Sequence, residues 1–568
     1  MPTQQHSTKL KIEVEGSPVP DDVDHALVSA LVDNCSSLPD MFQVTFRDAH
    51  RKILEDTKIK IGSKIKIKAF SDAEPAGEVL ANGEVTALEA EYDPDGTMTV
   101  VRGYDHSHRL FRGRVTMAYT NVTYSDIASQ VAQRAKLDLG EVQASSQVHD
   151  HVSQANINDW QFLRGLADEI GYEVGCSDGK FVFRAPPRSA DGPPEGTLSS
   201  DQSLQLTLGQ RLLRFRATVS AAEQVSQVQV RGWDVAQKKP LVAVAPASTT
   251  STSVGIKPAE MASIVNSPDY VGVSTPHRSQ AQADAHAKAI RDQIGDASAE
   301  LEGVARGDPK LRAGKVVSLG LVGKPFDGQY TLTSTRHCYD PKDGYTTWFT
   351  VSGRQERSLF GLTSGSGSGS GTAMGPPIYG VVSALVTDTN DPLNQCRVKL
   401  SFPWMSDKYT SDWARTVQIG AGGKRGGVFL PEVQDEVLVA FEQGDVRRPY
   451  VIGGVYNGVD QPELDGGVVD TGRVKRRMFV SKKHHILSFE DDDGKSGIWL
   501  RSGDGSLVIS LDETGKKITI SNSGGDVEIK GMNVKVEAQA SLELTGSAGA
   551  KLDGGPSVEV SGGIIKLN

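Results

Sequence analysis

Three short segments of this sequence have the residue types of catalytic or ligand-binding loops, and none has the required spacing. A serine nucleophile elbow needs serine at the centre of G-x-S-x-G, and the glycine–serine run places Gly367 there. The GGKR segment at 422–425 lacks the first glycine of a phosphate-binding loop and the Ser or Thr after its lysine. The segment EDDDGKSG at 490–497 puts Phe489 and Leu500 at the first and last ligand positions of a calcium loop. We therefore interpret them as a linker and two turns, and we predict that the chain is not an enzyme.

Histidine and cysteine are the other residues that could hold a metal ion. His106 and His108 alternate within VRGYDHSHRLFRGR at 101–114. Without a nearby carboxylate or cysteine cluster, a structural role is favoured over a metal site. The four cysteines are too far apart for a zinc knuckle or a disulfide scaffold: Cys35, Cys176, Cys338 and Cys396. The sequence thus predicts no bound metal and no cofactor.

Composition indicates the class of fold that must position these segments. The 568 residues include 60 glycines but only 6 tryptophans, 13 tyrosines and 16 phenylalanines, which favours turn-rich β structure over helical bundles. By length the chain should divide into about three to five domains. The net charge of −10 argues against nucleic acid as a partner, because binding phosphates requires a concentration of Lys and Arg.

The sequence has no segment that is typical of membrane targeting. The first residues, MPTQQHSTKLKIEVEG, lack a basic region followed by an apolar one, and no stretch approaches about 18 apolar residues. We expect synthesis in the cytoplasm without a signal peptide or a membrane span, with any export or release carried out by another machine.

Strand patterns and a few helices fill roughly the first 360 residues. Period-two alternation predicts strands at 9–16 and 58–70. Helical spacing predicts four helices, at 21–34, 125–137, 159–174 and 279–294. Ser125 and Asn158 are the expected caps of the second and third, and Gly295 is the expected end of the fourth.

A linker and a small barrel follow. The segment TSGSGSGSGT at 363–372 cannot bury apolar surface, so we interpret it as a flexible domain boundary. Residues 376–457 contain six short strand patterns separated by Gly and Pro. This arrangement is typical of a small Greek-key barrel of the oligonucleotide/oligosaccharide-binding (OB) type.

The last 70 or so residues repeat a pair of apolar residues separated by one polar residue. The pairs begin at Ile498 and recur about every eight residues. A unit of this length holds one short strand and a turn, so it covers one side of a prism but cannot close it. Three chains wound together would bury the pairs on a common axis. The predicted trimer core comprises Ile518, Ile520, Val527, Ile529, Val534, Val536, Leu542, Leu544, Val558 and Val560.

Two other interpretations of the repeat stay open. A monomeric antiparallel meander has the same alternation, but it would leave two exposed edges and a half-covered face. A disordered tail fits less well, because the Ile and Val spacing is too regular. We predict the homotrimer. Its open end, at Ile565, Leu567 and Asn568, would leave an apolar core uncovered and is the predicted docking face of a separate tip protein.

The barrel region also carries a dense set of family motifs. They are Asp391-Pro392, Arg397-Val398-Lys399, Phe402-Pro403-Trp404, Trp413-Ala414-Arg415, Pro431-Glu432-Val433, and Gly444-Asp445 ahead of Arg448-Pro449. These residues resemble the barrel domain of VgrG and of the central spike proteins of contractile phage tails. Cys396 departs from the pattern, which more usually has glycine there. Segments 101–114, 156–174 and 307–337 resemble the tail-hub half of the same proteins.

The resemblance implies a mainly β architecture with some α structure. Its parts would be a hub of two β-barrels with helical insertions (1–360), a Gly/Ser linker (361–375), an OB barrel (376–460), a neck (461–490) and an intertwined trimeric β-helix or β-prism (491–568). It also implies a structural role as the central spike of a contractile injection system. Such a spike caps the inner tube at the baseplate and pierces the target envelope when the sheath contracts.

The resemblance further implies the partners and the location. The partners would be two more copies of the chain, a PAAR-type tip protein, an Hcp-like inner tube protein, baseplate proteins and, in some systems, effector cargo. The particle would be cytoplasmic or released, and delivered to the target envelope. A phage tail and a type VI secretion system stay open, but the compact length without an effector extension favours a phage-tail-like particle. The alternative functions are a glycan- or receptor-binding tail protein that uses the OB barrel and, as an enzyme, a peptidoglycan hydrolase.

Overall fold

The computed structural model describes residues 9–566 except 72, 73, 95, 198–201, 203, 341–343, 354–376 and 463–466. The chain divides into two compact units, residues 1–457 and 458–568, which we describe separately. The described residues form 37 strands and six α-helices, so the prediction of a mainly β protein is confirmed. The predicted linker at 361–375 lies outside the described residues, and the block that follows it is described from residue 377 onwards.

We call the first 353 residues the hub, and its described residues form 23 strands. They are β1 Lys9–Val14, β2 Ser17–Pro18, β3 Leu27–Cys35, β4 Met41–Arg47, β5 Lys64–Ser71, β6 Glu74–Asp93, β7 Gly96–Asp105, β8 Val115–Thr123, β9 Leu139–Val142, β10 Val148–Ile157, β11 Glu173–Ser177, β12 Lys180–Arg184, β13 Gln205–Thr207, β14 Leu212–Val219, β15 Gln227–Asp234, β16 Lys239–Pro246, β17 Thr252–Val254, β18 Tyr270–Gly272, β19 Ala299–Arg306, β20 Val316–Gly320, β21 Gly328–Thr331, β22 Ser334–Asp340 and β23 Gly344–Val351.

One eleven-stranded sheet organises the hub. Its order is β14-β19-β23-β22-β3-β4-β7-β6-β5-β1-β2. The pairing of β3 with β22 joins the first strands to the last ones of the hub in a single sheet. Four smaller sheets, β10-β8, β11-β12-β9, β13-β20-β21-β17 and β16-β15-β18, complete it. None of these sheets closes on itself among the described residues, so the two predicted hub barrels are not separate closed barrels here.

Three of the four predicted helices are confirmed. The helices are α1 Asp21–His25, α2 Ile53–Thr57, α3 Tyr124–Arg134, α4 Asp159–Ile170, α5 Pro258–Ile264 and α6 Gln280–Asp296. Asn158 caps α4 as predicted, since its side chain accepts the backbone N–H of Gln161. The cap of α3 is Thr123 and not Ser125, and α6 continues past Gly295 to end at Asp296.

The predicted helix at 21–34 is wrong beyond its first turn. α1 ends at His25, and residues 27–35 form β3 between β4 and β22. Alternate residues of this strand, Ala30, Val32 and Asn34, are buried. Its sequence LVSALVDNC has apolar residues at both helical and strand spacing, so pairing with two neighbouring strands determines its conformation.

The closed barrel of the chain is the predicted OB barrel. Its region contains β24 Val381–Asp388, β25 Arg397–Ser401, β26 Ala414–Thr416, β27 Ala421–Gly422, β28 Arg425–Gly426, β29 Glu436–Phe441 and β30 Pro449–Gly454. The barrel order is β24-β25-β26-β30-β29. Val386, Leu400 and Phe402 are fully buried in its core. Of the six predicted strands, the fourth, GGVFLP at 426–431, is not part of the barrel. The GGKR segment forms the β27–β28 hairpin, as its interpretation as a turn required.

The Asp391-Pro392 motif organises the loop between β24 and β25. The Asp391 carboxylate accepts the backbone N–H groups of Leu393 and Gln395 at 3.0 and 2.8 Å and pairs with the Arg397 guanidinium at 2.6 Å. Arg397 and the backbone donors hold the pKa of Asp391 well below its usual range. In the same loop Cys396 has a φ of 57°. This left-handed conformation favours glycine, which explains why glycine is the more usual residue there.

The second unit is a meander of antiparallel strands. Its strands are β31 Val469–Asp470, β32 Arg473–Val474, β33 Arg476–Val480, β34 Ile486–Asp492, β35 Lys495–Arg501, β36 Leu507–Asp512 and β37 Lys517–Asn522. The last five form one sheet in chain order, and the EDDDGKSG segment is the predicted hairpin turn between β34 and β35. Up to Asn522 the predicted prism is therefore a meander within one chain. In the described part of the chain, no helix is long and apolar enough to cross a membrane.

Candidate functional site

The sheet β33–β37 has one face formed by apolar side chains. Residues directly opposite each other in antiparallel strands share a face, and the register aligns Leu487, Leu500, Ile509 and Ile520 in one row. We call this surface the apolar face; its residues are Phe479, Leu487, Phe489, Ile498, Leu500, Leu507, Ile509, Leu511, Ile518 and Ile520. All of them except Leu487 are between 38% and 72% exposed.

The opposite face of this sheet is mixed, because it carries Ile486, Trp499 and Val508 among its polar residues. Ser488, Glu490 and Ser510 are only 5–6% exposed, and Glu490 pairs with Arg476 at 2.7 Å. An antiparallel sheet with one solvated face normally has its polar residues on that face. In this sheet the apolar face is exposed, so a single chain leaves a contiguous apolar surface uncovered.

The apolar pairs continue beyond the meander without strand partners in the same chain. None of residues 523–566, all of which are described, belongs to a strand. The predicted core residues in this segment are 49% to 81% exposed: Val527, Ile529, Val534, Val536, Leu542, Leu544, Val558 and Val560. Of the predicted docking residues, Ile565 is 51% exposed, and Leu567 and Asn568 lie outside the described residues.

In the first unit, the barrel contacts the hub through a buried ion cluster. Arg447, just before β30, lies 2.9 Å from Asp445 of the barrel and 3.0 Å from Glu169 of hub helix α4. The side chain of Arg447 is 12% exposed. Tyr124 of the hub also donates its hydroxyl to Glu169. Burial alone would raise the pKa of Glu169, but Arg447, the Tyr124 hydrogen bond and His286 together hold that pKa below its usual value.

Other polar contacts surround this cluster. Ser153 and Tyr409 share a hydrogen bond of 2.7 Å between their hydroxyls, and the His151 ring lies 3.0 Å from the carbonyl oxygen of Thr410. Arg278 faces Asp412 at 3.8 Å. The barrel therefore rests on β10, on α4 and on the segment that leads into α6. The sequence did not indicate this junction, because its partners come from motifs that lie far apart along the chain.

Two hub histidines lie beside the junction. His277 Nε2 and His286 Nδ1 are 2.9 Å apart and share a hydrogen bond, and the two residues are 6% and 9% exposed. Burial and the charge of His286 lower the pKa of His277 to about 4; Arg447 and Arg448 add to this effect and Glu169 opposes it. His277 is therefore neutral at pH 7 in the folded chain.

The neutral state of His277 predicts a loss of stability on acidification. Unfolded His277 takes up a proton near pH 6.5, whereas folded His277 does so only near pH 4. The free energy of unfolding should therefore fall by up to about 3 kcal/mol as pH falls from 6.5 to 4. We expect His277→Gln to reduce this slope in urea titrations at several pH values. His50→Gln at an exposed histidine is the control, and equal slopes in both variants would contradict the prediction.

The pair His106 and His108 lies beside a carboxylate that another side chain already binds. Both are in a 3₁₀ turn, His106–Phe111, and their rings are 3.9 and 3.1 Å from Glu84. Arg109 pairs with the same carboxylate. Burial would raise the pKa of Glu84, but Arg109 and His108 together lower it to about 2. This favours a structural role, and among the described residues no group of three or more His, Cys, Asp or Glu could hold a metal.

Comparison with known proteins identifies the family to which this chain belongs. The profile of the family described as "Alg8 N-terminal domain" matches residues 4–340, more than half of the chain. The chain belongs to that family. The profile described as "Type VI secretion system/phage-baseplate injector OB domain" matches residues 382–456, which include the closed barrel. The resemblance to VgrG and to phage-baseplate spike proteins is thereby confirmed.

Curated relatives are similar to part of this chain, and a solved structure shares its fold. The spike protein VgrG1c of Pseudomonas aeruginosa is 40% identical over 114 residues, 19% of this chain and 16% of that protein. VgrG3 of Vibrio cholerae is 32% identical over 126 residues, 21% of this chain and 12% of that protein. These matches span less than a fifth of either relative. A chain of the Francisella PdpA–VgrG complex has the same fold, with a TM-score of 0.53 at 9% identity, covering 92% of this chain and 80% of that one.

Proposed function

We propose that the chain is the central spike of a contractile injection system, of the phage-tail-like kind, and that it acts as a homotrimer. One observation carries the proposal: the apolar face of β33–β37 is exposed in a single chain, and exposed apolar pairs follow it as far as Ile565. Three copies around one axis would cover both surfaces and would supply strand partners for residues 523–566.

Within such a trimer the parts of the chain have separate roles. The hub would cap an Hcp-like inner tube and contact baseplate proteins, while the barrel and the carboxyl-terminal prism would point towards the target. Ile565, Leu567 and Asn568 would bind a PAAR-type tip protein. Effector cargo would be a further partner. The role is mechanical and not enzymatic: sheath contraction drives the prism through the envelope. The match of residues 382–456 to the type VI secretion system/phage-baseplate injector OB domain supports this assignment.

Native mass spectrometry of the purified full chain tests the trimer. We expect a complex with three times the mass of one chain. A chain that ends at residue 523 lacks the unpartnered apolar pairs and should form this complex much more weakly. A full chain that stays monomeric at micromolar concentration would overturn the proposal. Sheath and tube genes beside the gene for this chain, without those of a membrane-anchoring complex, would support the phage-tail-like kind.

Exposed aromatic side chains on the barrel support a second candidate function. Tyr379, Trp404, Phe429 and Tyr456 are between 52% and 78% exposed, and barrels of the OB type use such rings to bind oligosaccharides. The alternative is a glycan-binding tail protein. Binding to a glycan array that is lost in Trp404→Ala, together with no affinity for tube or baseplate proteins, would favour it over the spike.

A further inference from the structure

The segment that connects the hub to the barrel has the sequence of a flexible linker. The run at 363–372 consists almost entirely of Gly and Ser, a composition that behaves as flexible coil. With that connection alone, the barrel would move independently of the hub. The contacts between the two are nevertheless extensive, buried and charged.

We propose that the ion cluster around Arg447 fastens the barrel to the hub of its own chain, so that the two move as one body. Arg447 is suited to this role because its planar guanidinium pairs with a barrel carboxylate and a hub carboxylate at once. Asp445 and Glu169 are 12% and 20% exposed. Removing one partner while the junction stays closed would leave the other charge buried without compensation, which opposes the contact between hub and barrel.

The hydrogen bonds around the cluster fix the orientation as well as the proximity of the barrel. Ser153 is 1% and Tyr409 is 2% exposed, so their shared hydrogen bond is shielded from water. His151 adds a contact to the next backbone carbonyl of the barrel. Ala118 of hub strand β8 packs against the apolar core cluster of the barrel. Because these hydrogen bonds are directional, they allow one orientation of the barrel on the hub.

A fastened junction matters for the proposed function, on which this consequence rests. If the chain is a spike, the thrust on the hub must reach the prism through the barrel. A Gly/Ser coil bends under axial load and cannot transmit it. The ion cluster would carry this load, and the linker would only keep the two parts in one chain.

The test is to cut the linker of the full chain. A protease site replaces residues 364–371, and the cleaved protein is examined by size-exclusion chromatography. We expect the hub fragment to co-elute with the barrel-prism fragment in the parent. In Arg447→Met, which leaves the Glu169 and Asp445 carboxylates without their counterion, we expect them to separate, with an apparent dissociation constant raised about a hundredfold. Separation of the parent fragments, or equally tight association in the variant, would overturn the proposal.

Two further variants keep the test specific. Glu169→Gln alone changes only the hub. We expect it to lower the affinity of the barrel-prism fragment for the hub fragment. Unchanged fluorescence of the barrel tryptophans would show that the barrel is still folded. Arg477→Met is the matched control, because Arg477 and Asp491 form an exposed pair in the second unit, 64% and 53% exposed. Loss of association in this control as large as in Glu169→Gln would count against the proposal. Native mass spectrometry tests the trimer in a separate experiment. A result that contradicts the fastened junction can therefore be told apart from one that contradicts the spike assignment.

Discussion

The variant Ile509→Asp/Ile520→Asp is expected to elute as a monomer where the unchanged chain elutes as a trimer. The two residues lie directly opposite each other on the apolar face and are 46% and 63% exposed in one chain. In a trimer that covers this face, the substitutions would place six carboxylates around one axis. Burying an unpaired carboxylate costs several kcal/mol, so the combined penalty should exceed the free energy of association.

The matched control uses the opposite face of β37. Thr519→Asp/Ser521→Asp adds the same charge on the same strand, but on the opposite face, where Thr519 is opposite Ser510 and Ser521 is opposite Val508. We expect this variant to stay trimeric by light scattering at the same concentration. If both variants stay trimeric, the apolar face is not the surface that the copies share. If both become monomeric, added charge and not burial of the face explains the loss.

The sequence predicted the elements that are defined by local spacing. Helices α3, α4 and α6, the OB barrel and the alternation along β35–β37 all follow from periods, caps and turn residues within a few positions of one another. The candidate trimer surface also belongs to this class, because alternation alone determines which residues share a face. Its exposure in one chain is what the structure adds.

Features defined by distant partners could not be predicted in this way. Residues 27–35 became a strand because β22 lies beside them, and Thr335 of that strand is 301 residues from Asn34. The hub–barrel junction is of the same kind: His151 and Thr410 are 259 residues apart. Glu169 and Arg447 both lie within segments that resemble the spike family, but nothing local indicates that they meet. The sequence therefore indicated a linker at 363–372 but gave no signal for the contact between Glu169 and Arg447.

Loss of Asp391 is expected to destabilise the barrel more than loss of any other single carboxylate at its surface loops. The side chain of Asp391 is 4% exposed and that of Arg397 is 17% exposed. Asp391→Ala would leave the guanidinium without its partner and would remove the acceptor of the Leu393, Gln395 and Arg397 backbone N–H groups. Breaking a buried pair from one side costs about 3–5 kcal/mol. The barrel should therefore unfold at lower urea concentration, measured by the fluorescence of Trp404 and Trp413.

The pH dependence of this effect separates the ion pair from a loss of packing. Because Arg397 holds the pKa of Asp391 below its usual value, the ionised carboxylate stabilises the barrel above about pH 4, the ordinary Asp range. That stabilisation is lost as pH falls through the lowered folded-state pKa. Asp391→Ala should therefore lose less stability than the parent when pH is lowered from 5 to 2. Asp407→Ala, at an exposed position of the same barrel, should follow the parent at every pH. A parallel shift of the Asp391→Ala curve at all pH values would mean that packing, and not the charge of Asp391, stabilises this loop.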